Sequence, residues 1–234
     1  MRRLIGVPIG VAEATRPARR AKLHGLQEKA DHGRVTSSGL RERKKAATRS
    51  ALHEAALRLV AERGLDGVSV DDIAARADVS PRTFFNYFAT KDDAVLGLDP
   101  EGLRRTAQAL ADRPADESAV AALRAVQREQ AGEMARETEL WPLRLQVIEA
   151  NPDLVGRLVT HFGEADRALA GAVAERTGTD VDSDTLPTLL ALTSGAVMRT
   201  ALHRWLTGDF TDSLPRLVDE AWDVLARGLA ALPH

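Results

Sequence analysis

The chain has 234 residues, of which 44% are hydrophobic, no cysteine, and a formal net charge of -2. This is enough apolar material to bury a core in one or two domains, while the lack of cysteine excludes a disulfide framework and thiolate chemistry and fits a reducing cytoplasm. The charge is unevenly spread: residues 1–49 carry 13 Arg and Lys against 4 Asp and Glu, and the remainder carries 19 against 30, so the N-terminal end suits a polyanionic partner.

Residues 1–38 read as a basic, flexible extension. Met1-Arg2-Arg3, the run LIGVPIGVA and Ala12-Glu13-Ala14 mimic an export signal, but two Gly and a Pro interrupt a short apolar run. The longest apolar stretch, Leu186 to Met198, is shorter than the roughly 20 residues a membrane-spanning helix needs. No membrane partner is expected, and a cytoplasmic location is. A first helix is expected over about Arg41 to Arg63. Its early part carries Arg43, Lys44, Lys45 and Arg49, placed to lie near phosphates. Its later part repeats Leu52, Ala55, Ala56, Leu59 and Val60 on one face, which packs inward.

The densest signal follows, in residues 69–93. Ser69 with Asp72 forms a capping-box start, and Ile73, Ala74 and Ala77 keep helical spacing. Asp78 falls where the chain turns, because its short polar side chain tolerates left-handed backbone. Ser80 then supplies an N-cap and Pro81 the first helical residue. Thr90 with Asp93 starts a third helix. Four of the nine aromatic residues, Phe84, Phe85, Tyr87 and Phe88, crowd into this unit. Unwrapped at about 100° per residue, a helix over Pro81 to Phe88 stacks Phe84 and Phe88 on one face. Arg82, Thr83, Asn86 and Tyr87 then form a polar surface opposite, and Phe85 lies between the two.

Such a surface matches major-groove reading. Arg82 can donate twice to guanine O6 and N7, Asn86 can pair with adenine, and Thr83 can meet a phosphate or a thymine methyl. Tyr87 and Lys91 suit phosphates, which set register. Ser69 and Ser80, as helix caps beside them, complete the expected contact set with Pro81. The bland alternative is an amphipathic helix pair whose polar face is merely solvated.

Residues 41–98 resemble the N-terminal domain of TetR-family transcriptional regulators. The stretch AERGLDGVSVDDIAARADVSPRTFFNYFATKDDAVL matches that family's pattern at Ile73, Ala74, Val79, Ser80, Thr83, Tyr87, Phe88 and Lys91. Two positions depart from it. Asp78 stands where the family often has Gly, and Phe85 where it often has a phosphate-contacting Tyr.

Beyond Leu98 the pattern is helical throughout, so an all-α fold is expected: a helix-turn-helix domain over 39–98 and a helical ligand-binding and dimerisation domain over 99–234. Helices are expected over about 100–113, 116–137, 139–150, 153–177 (capped by Asn151-Pro152), 184–207 and 213–230. The last two have apolar faces too broad for one-sided burial, which predicts a two-fold dimer through them and an operator of two inverted half-sites. The resemblance implies the same pairing. It also implies a small-molecule effector among the middle helices, lined by Trp141, Leu145, Phe162, Met198 and Trp205, with Arg144, His161, Arg199 and His203 as polar anchors. The region resembles family members that sense acyl-CoA-type molecules, so an acyl-CoA-like effector is one expectation.

No phosphate loop, nucleophile elbow or zinc-helix motif is present, so neither an enzyme nor a cofactor is expected. Asp180, Asp182 and Asp184 imitate a calcium loop, but Thr185 and Ala191 stand where it needs Gly and Glu, so no metal is expected. The expected function is a ligand-released, DNA-binding repressor. The alternative is a helical protein–protein interaction module without sequence-specific DNA binding.

Overall fold

The computed structural model describes residues 20–228, with side chains for 40–228. Among these residues every regular element is a helix: α1 (Arg20–Arg63), α2 (Val70–Arg76), α3 (Pro81–Phe84), α4 (Lys91–Leu96), α5 (Pro100–Ala111), α6 (Ala119–Met134), α7 (Trp141–Ala150), α8 (Asp153–Thr177), α9 (Thr185–Thr207) and α10 (Leu214–Arg227). A 3-10 segment, Ala135–Leu140, links α6 to α7. The chain divides into two compact units at the Thr48–Arg49 step, inside α1.

In the first unit α1 begins at Arg20, well before Arg41, so residues 20–38 are helical where a flexible extension was the expectation. The sequence has no proline between Pro17 and Pro81. Gly25, Gly33 and Gly39 each cost about 1 kcal/mol in a helix interior but keep their N–H groups, so nothing breaks the ladder. Residues 1–19, with the signal-like run, lie outside the described residues. Arg43 and Lys44 are exposed, Lys45 is half-buried, and Thr48 Oγ1 donates to the Lys44 carbonyl at 3.0 Å.

The second unit holds two cores. One is built from Leu52, Leu57, Leu59, Ile73, Phe84, Phe88 and Val95, and α7 and α8 close it with Val147 and Leu154. The other gathers Leu110, Leu123, Trp141, Trp205, Leu214, Leu217 and Trp222 from α5 to α10. Its tryptophans interlock edge to face, Trp141 against Trp205 at 5.9 Å, and Phe210 extends the stack at 4.8 Å from Trp205. Arg176 on α8 fastens the α5–α6 connection by donating to Leu110 O and Arg113 O, both at 3.2 Å, and to Glu117 O at 2.7 Å. Arg113 and Glu117 lie in the connection itself, so one guanidinium ties the end of α5 to the approach of α6.

Local starts follow the residue chemistry. Ser69–Asp72 and Thr90–Asp93 both close as full capping boxes, and Ser80 and Asp99 cap helices whose first residue is Pro. Asp78 takes the left-handed turn at φ 54. Asn151 differs from expectation. Its Nδ2 donates back to Val147 O at 2.7 Å, so it closes α7, and α8 follows with Pro152 at its N-cap position and no side-chain cap bond. Asp180 Oδ1 accepts from the backbone of Asp182 and Ser183, both at 3.0 Å, which makes the acidic triplet a self-bonded turn.

A buried polar link joins the two cores. His53 is 4% exposed, and its Nδ1 meets Ala94 O on α4 at 2.7 Å while Nε2 faces Arg144 of α7. Arg144 in turn lies over the Trp141 ring at 4.4 Å. The arrangement needs a neutral imidazole that donates from Nδ1 and accepts at Nε2. Burial first, then the Arg144 charge, pushes the His53 pKa from 6.5 down to about 3. An unfolded chain takes up that proton near 6.5 and the folded one does not until about 3. The contribution to stability is therefore complete above the upper value and is lost as the pH falls between the two. Urea unfolding is expected to show a loss approaching about 1.4 kcal/mol per pH unit between about pH 6 and 5. The slope should be flatter in His53→Gln. An equal slope in both would remove His53 as its source.

Candidate nucleic-acid interface

The reading segment is shorter than the sequence suggests. α3 covers only Pro81–Phe84, and the chain then tightens, with Asn86 N bonded to Thr83 O at 3.1 Å and Tyr87 N to Phe84 O at 2.9 Å. Phe, Asn and Tyr are indifferent helix formers, so the last turn closes with i to i+3 bonds. The division of faces survives the change. Phe84 and Phe88 are 0% and 2% exposed, whereas Arg82, Phe85 and Asn86 lie in solvent. Arg82 and Asn86 make no side-chain hydrogen bond among the described residues, leaving their donors available. Thr83 is half-buried, and its hydroxyl lies 2.9 Å from Ser80 Oγ, which also accepts from Thr83 N at 3.1 Å. Pro81, Ser69 and Ser80 are exposed, and half-buried Tyr87 packs its ring on the first core.

Two cations expected near phosphates are committed inside the fold. Lys91 Nζ donates to Leu65 O at 2.5 Å and Val68 O at 2.9 Å, clamping the α1–α2 connection onto the start of α4. Arg49 lies over the Phe88 ring at 4.2 Å, donates to Tyr87 O at 2.8 Å and pairs with Asp99 at 3.4 Å. Burial lowers the Arg49 pKa against the pull of Asp99. Both side chains serve first to position the reading segment. Arg43, Lys44 and Lys45 belong to the first unit.

A carboxylate in this module is tied to the rest of the second unit. Asp93 closes the α4 capping box through Oδ2, at 3.1 Å from Thr90 N, and receives a two-pronged bond from Arg157 of α8 at 2.8 and 2.9 Å. Such forked pairs are the more directional ion pairs. This partner lies 64 residues away, beyond the reach of any local pattern.

The expected effector residues do not converge as a set. Trp141 and Trp205 are buried in the second core, Arg144 is held by His53 and Trp141, and Leu145 is 40% exposed. His161 is half-buried, which lowers its pKa, and His203 is exposed. Phe162, Met198 and Arg199 do meet, around a cavity of about 160 Å³ between α5, α6, α8 and α9. Sequence reasoning missed its polar lining, Thr106, Gln127, Gln130, Asp166 and Ser194. Gln127 is engaged, donating to Ser194 O at 2.7 Å and accepting from Trp222 Nε1 at 2.9 Å. Ser194 Oγ is fully buried and has no hydrogen-bond partner among the described residues. Burial raises the Asp166 pKa although Arg199 opposes it.

Residues 52–96 match the model for bacterial regulatory proteins of the tetR family, and residues 117–230 match the MftR C-terminal domain. The chain is 31% identical over 185 residues to the HTH-type transcriptional regulator TcmR of Streptomyces glaucescens, covering 74% of this chain and 80% of that one. It is 30% identical over 195 residues to MftR of Mycobacterium tuberculosis, a protein assigned to regulation of mycofactocin biosynthesis, covering 81% and 95%. A solved triclosan complex of SmeT shares the fold at TM-score 0.50 and 20% identity, over 77% of this chain and 91% of that chain.

Lys91→Met should cost about 1–3 kcal/mol in urea unfolding, because it strands the two carbonyls that the ammonium holds. The salt dependence of duplex binding should stay unchanged. A slope shallower by about one unit would instead put Lys91 on a phosphate.

Proposed function

The chain belongs to the TetR family of bacterial transcriptional regulators and is a DNA-binding regulator, and on that premise we propose that it is a homodimeric repressor. It reads an inverted-repeat operator in the cytoplasm and leaves it when a small molecule enters the cavity of each subunit. The observation that carries the reading is the separation of faces on the Pro81 turn, with phenylalanines inward and Arg82 and Asn86 unpaired in solvent. Family membership disfavours the alternative of a helical protein–protein module.

In this reading Arg82 and Asn86 contact bases. Ser69, Ser80, Pro81, Thr83 and Tyr87 fix register on the backbone, and Arg43, Lys44 and Lys45 add phosphate attraction. Dimerisation through α9 and α10 is favoured by Leu186, Leu189 and Leu192, which are 44–55% exposed on α9. The domain arrangement follows, with reading by 39–98 and sensing and pairing by 99–234.

Release would run along α8. This helix carries Phe162 and Asp166 at the cavity and Arg157 on Asp93, so one rigid element meets both the effector and the N-terminus of α4. Arg199 at the cavity is the available anchor for an acidic group on an effector, the acyl-CoA-like class included. Ser194, buried without a partner, would bond a polar atom at the inner end.

Sequencing the DNA retained by the purified protein tests the central reading, which fails if no inverted repeat is enriched. Arg82→Ala or Asn86→Ala should cost about 1–3 kcal/mol at particular base pairs while leaving random-duplex affinity unchanged. Equal weakening on both duplexes would take that residue off the bases. Ser194→Ala should leave the empty protein as stable or more stable, by up to about 1 kcal/mol, since it removes an orphaned hydroxyl. A clear loss of stability would mean that the hydroxyl has a structural partner.

A further inference from the structure

We propose that Phe85 is a base-reading residue that recognises thymine through its C5-methyl group, beside Arg82 and Asn86. The inference rests on the DNA-binding reading above and adds to it a residue and a base.

Phe85 is 58% exposed in a chain with only nine aromatic residues, while its neighbours Phe84 and Phe88 are 0% and 2% exposed. The ring stands edge-on to Phe84 at 5.4 Å and 86°, a contact that favours this orientation. That contact engages the ring on one side while most of the residue stays in solvent. Phe85 N bonds to Pro81 O at 3.3 Å, so the helical path continues far enough to set Phe85 one turn beyond Arg82, with Asn86 adjacent. The three exposed side chains therefore share one side of one turn.

A phenyl ring has no donor for a phosphate, so Phe85 cannot serve as a backbone clamp. In the major groove the one apolar feature of the base edges is the thymine methyl group, and Phe is among the side chains that meet it. Asn86 points the same way. An adenine read by its amide brings the paired thymine, and that thymine's methyl, into the same stretch of groove. Insertion of the ring between base steps is a minor-groove habit, which does not suit a short helix that presents arginine and asparagine.

The test uses the full chain and the duplexes it selects from a random pool. Each thymine of the selected half-site is replaced in turn by deoxyuridine, which removes the methyl group and leaves every pairing edge intact. The expected result is a loss of about four-fold at one position per half-site, the amount for one buried methyl group. Phe85→Ala should bind the thymine duplex more weakly and be indifferent to deoxyuridine at that position, with Phe85→Leu in between. Urea unfolding of the three proteins checks that the exposed position leaves the fold intact. A flat deoxyuridine scan with the unaltered protein would overturn the proposal, as would an undiminished deoxyuridine effect in Phe85→Ala. Failure to select any duplex is a separate result, which overturns the DNA-binding reading itself.

Discussion

A helix of four residues cannot hold itself. Nucleating a helix costs more than one turn of hydrogen bonds returns, so α3 exists only because its surroundings fix it. Phe84 and Phe88 anchor it from beneath, Arg49 holds the Tyr87 carbonyl and stacks on Phe88, and Lys91 ties the α1–α2 connection to the start of α4. Each of these groups works on the inner side. The outer side is thereby freed of structural duty, which a reading surface requires.

The local grammar of this module was legible in the sequence. Caps such as Ser69–Asp72 and Thr90–Asp93 involve groups three residues apart, and Asp78 needs only its own backbone to turn. What could not be read were commitments between distant residues. Lys91 and Arg49 look like free cations until the carbonyls of Leu65, Val68 and Tyr87 appear beside them. Trp141 and Trp205 look like cavity walls until each is seen filling the other's space. Asn151 has two neighbouring helix ends to serve, and local pattern alone favoured the wrong one. The C-terminal cavity was legible only in part: the family resemblance pointed to Phe162, Met198 and Arg199, but polar residues such as Ser194 and Gln127 give no signal until the helices around them are assembled.

Between the two cores the chain uses polar contacts that tolerate little substitution. His53 must be neutral and in one tautomer to serve Ala94 and Arg144 together. Gly97 ends α4 at φ 67, where a Cβ would come within 3.1 Å of the His53 ring and 3.2 Å of Arg144. The α4 exit is therefore held by shape as well as by charge. The Asp93–Arg157 fork adds a third tie, and all three act on the helix that directly follows the reading segment.

The solvent-facing side of the Pro81 turn has an evolutionary corollary. Among the described residues Arg82 and Asn86 are exposed and make no side-chain hydrogen bond, and Phe85 gives up one ring edge, so exchanging them taxes folding very little. If these side chains read bases as proposed, duplicated copies of such a gene can drift toward new promoters by altering them while the scaffold stays under constraint. The same latitude makes this turn the natural place to redirect the protein toward a chosen promoter.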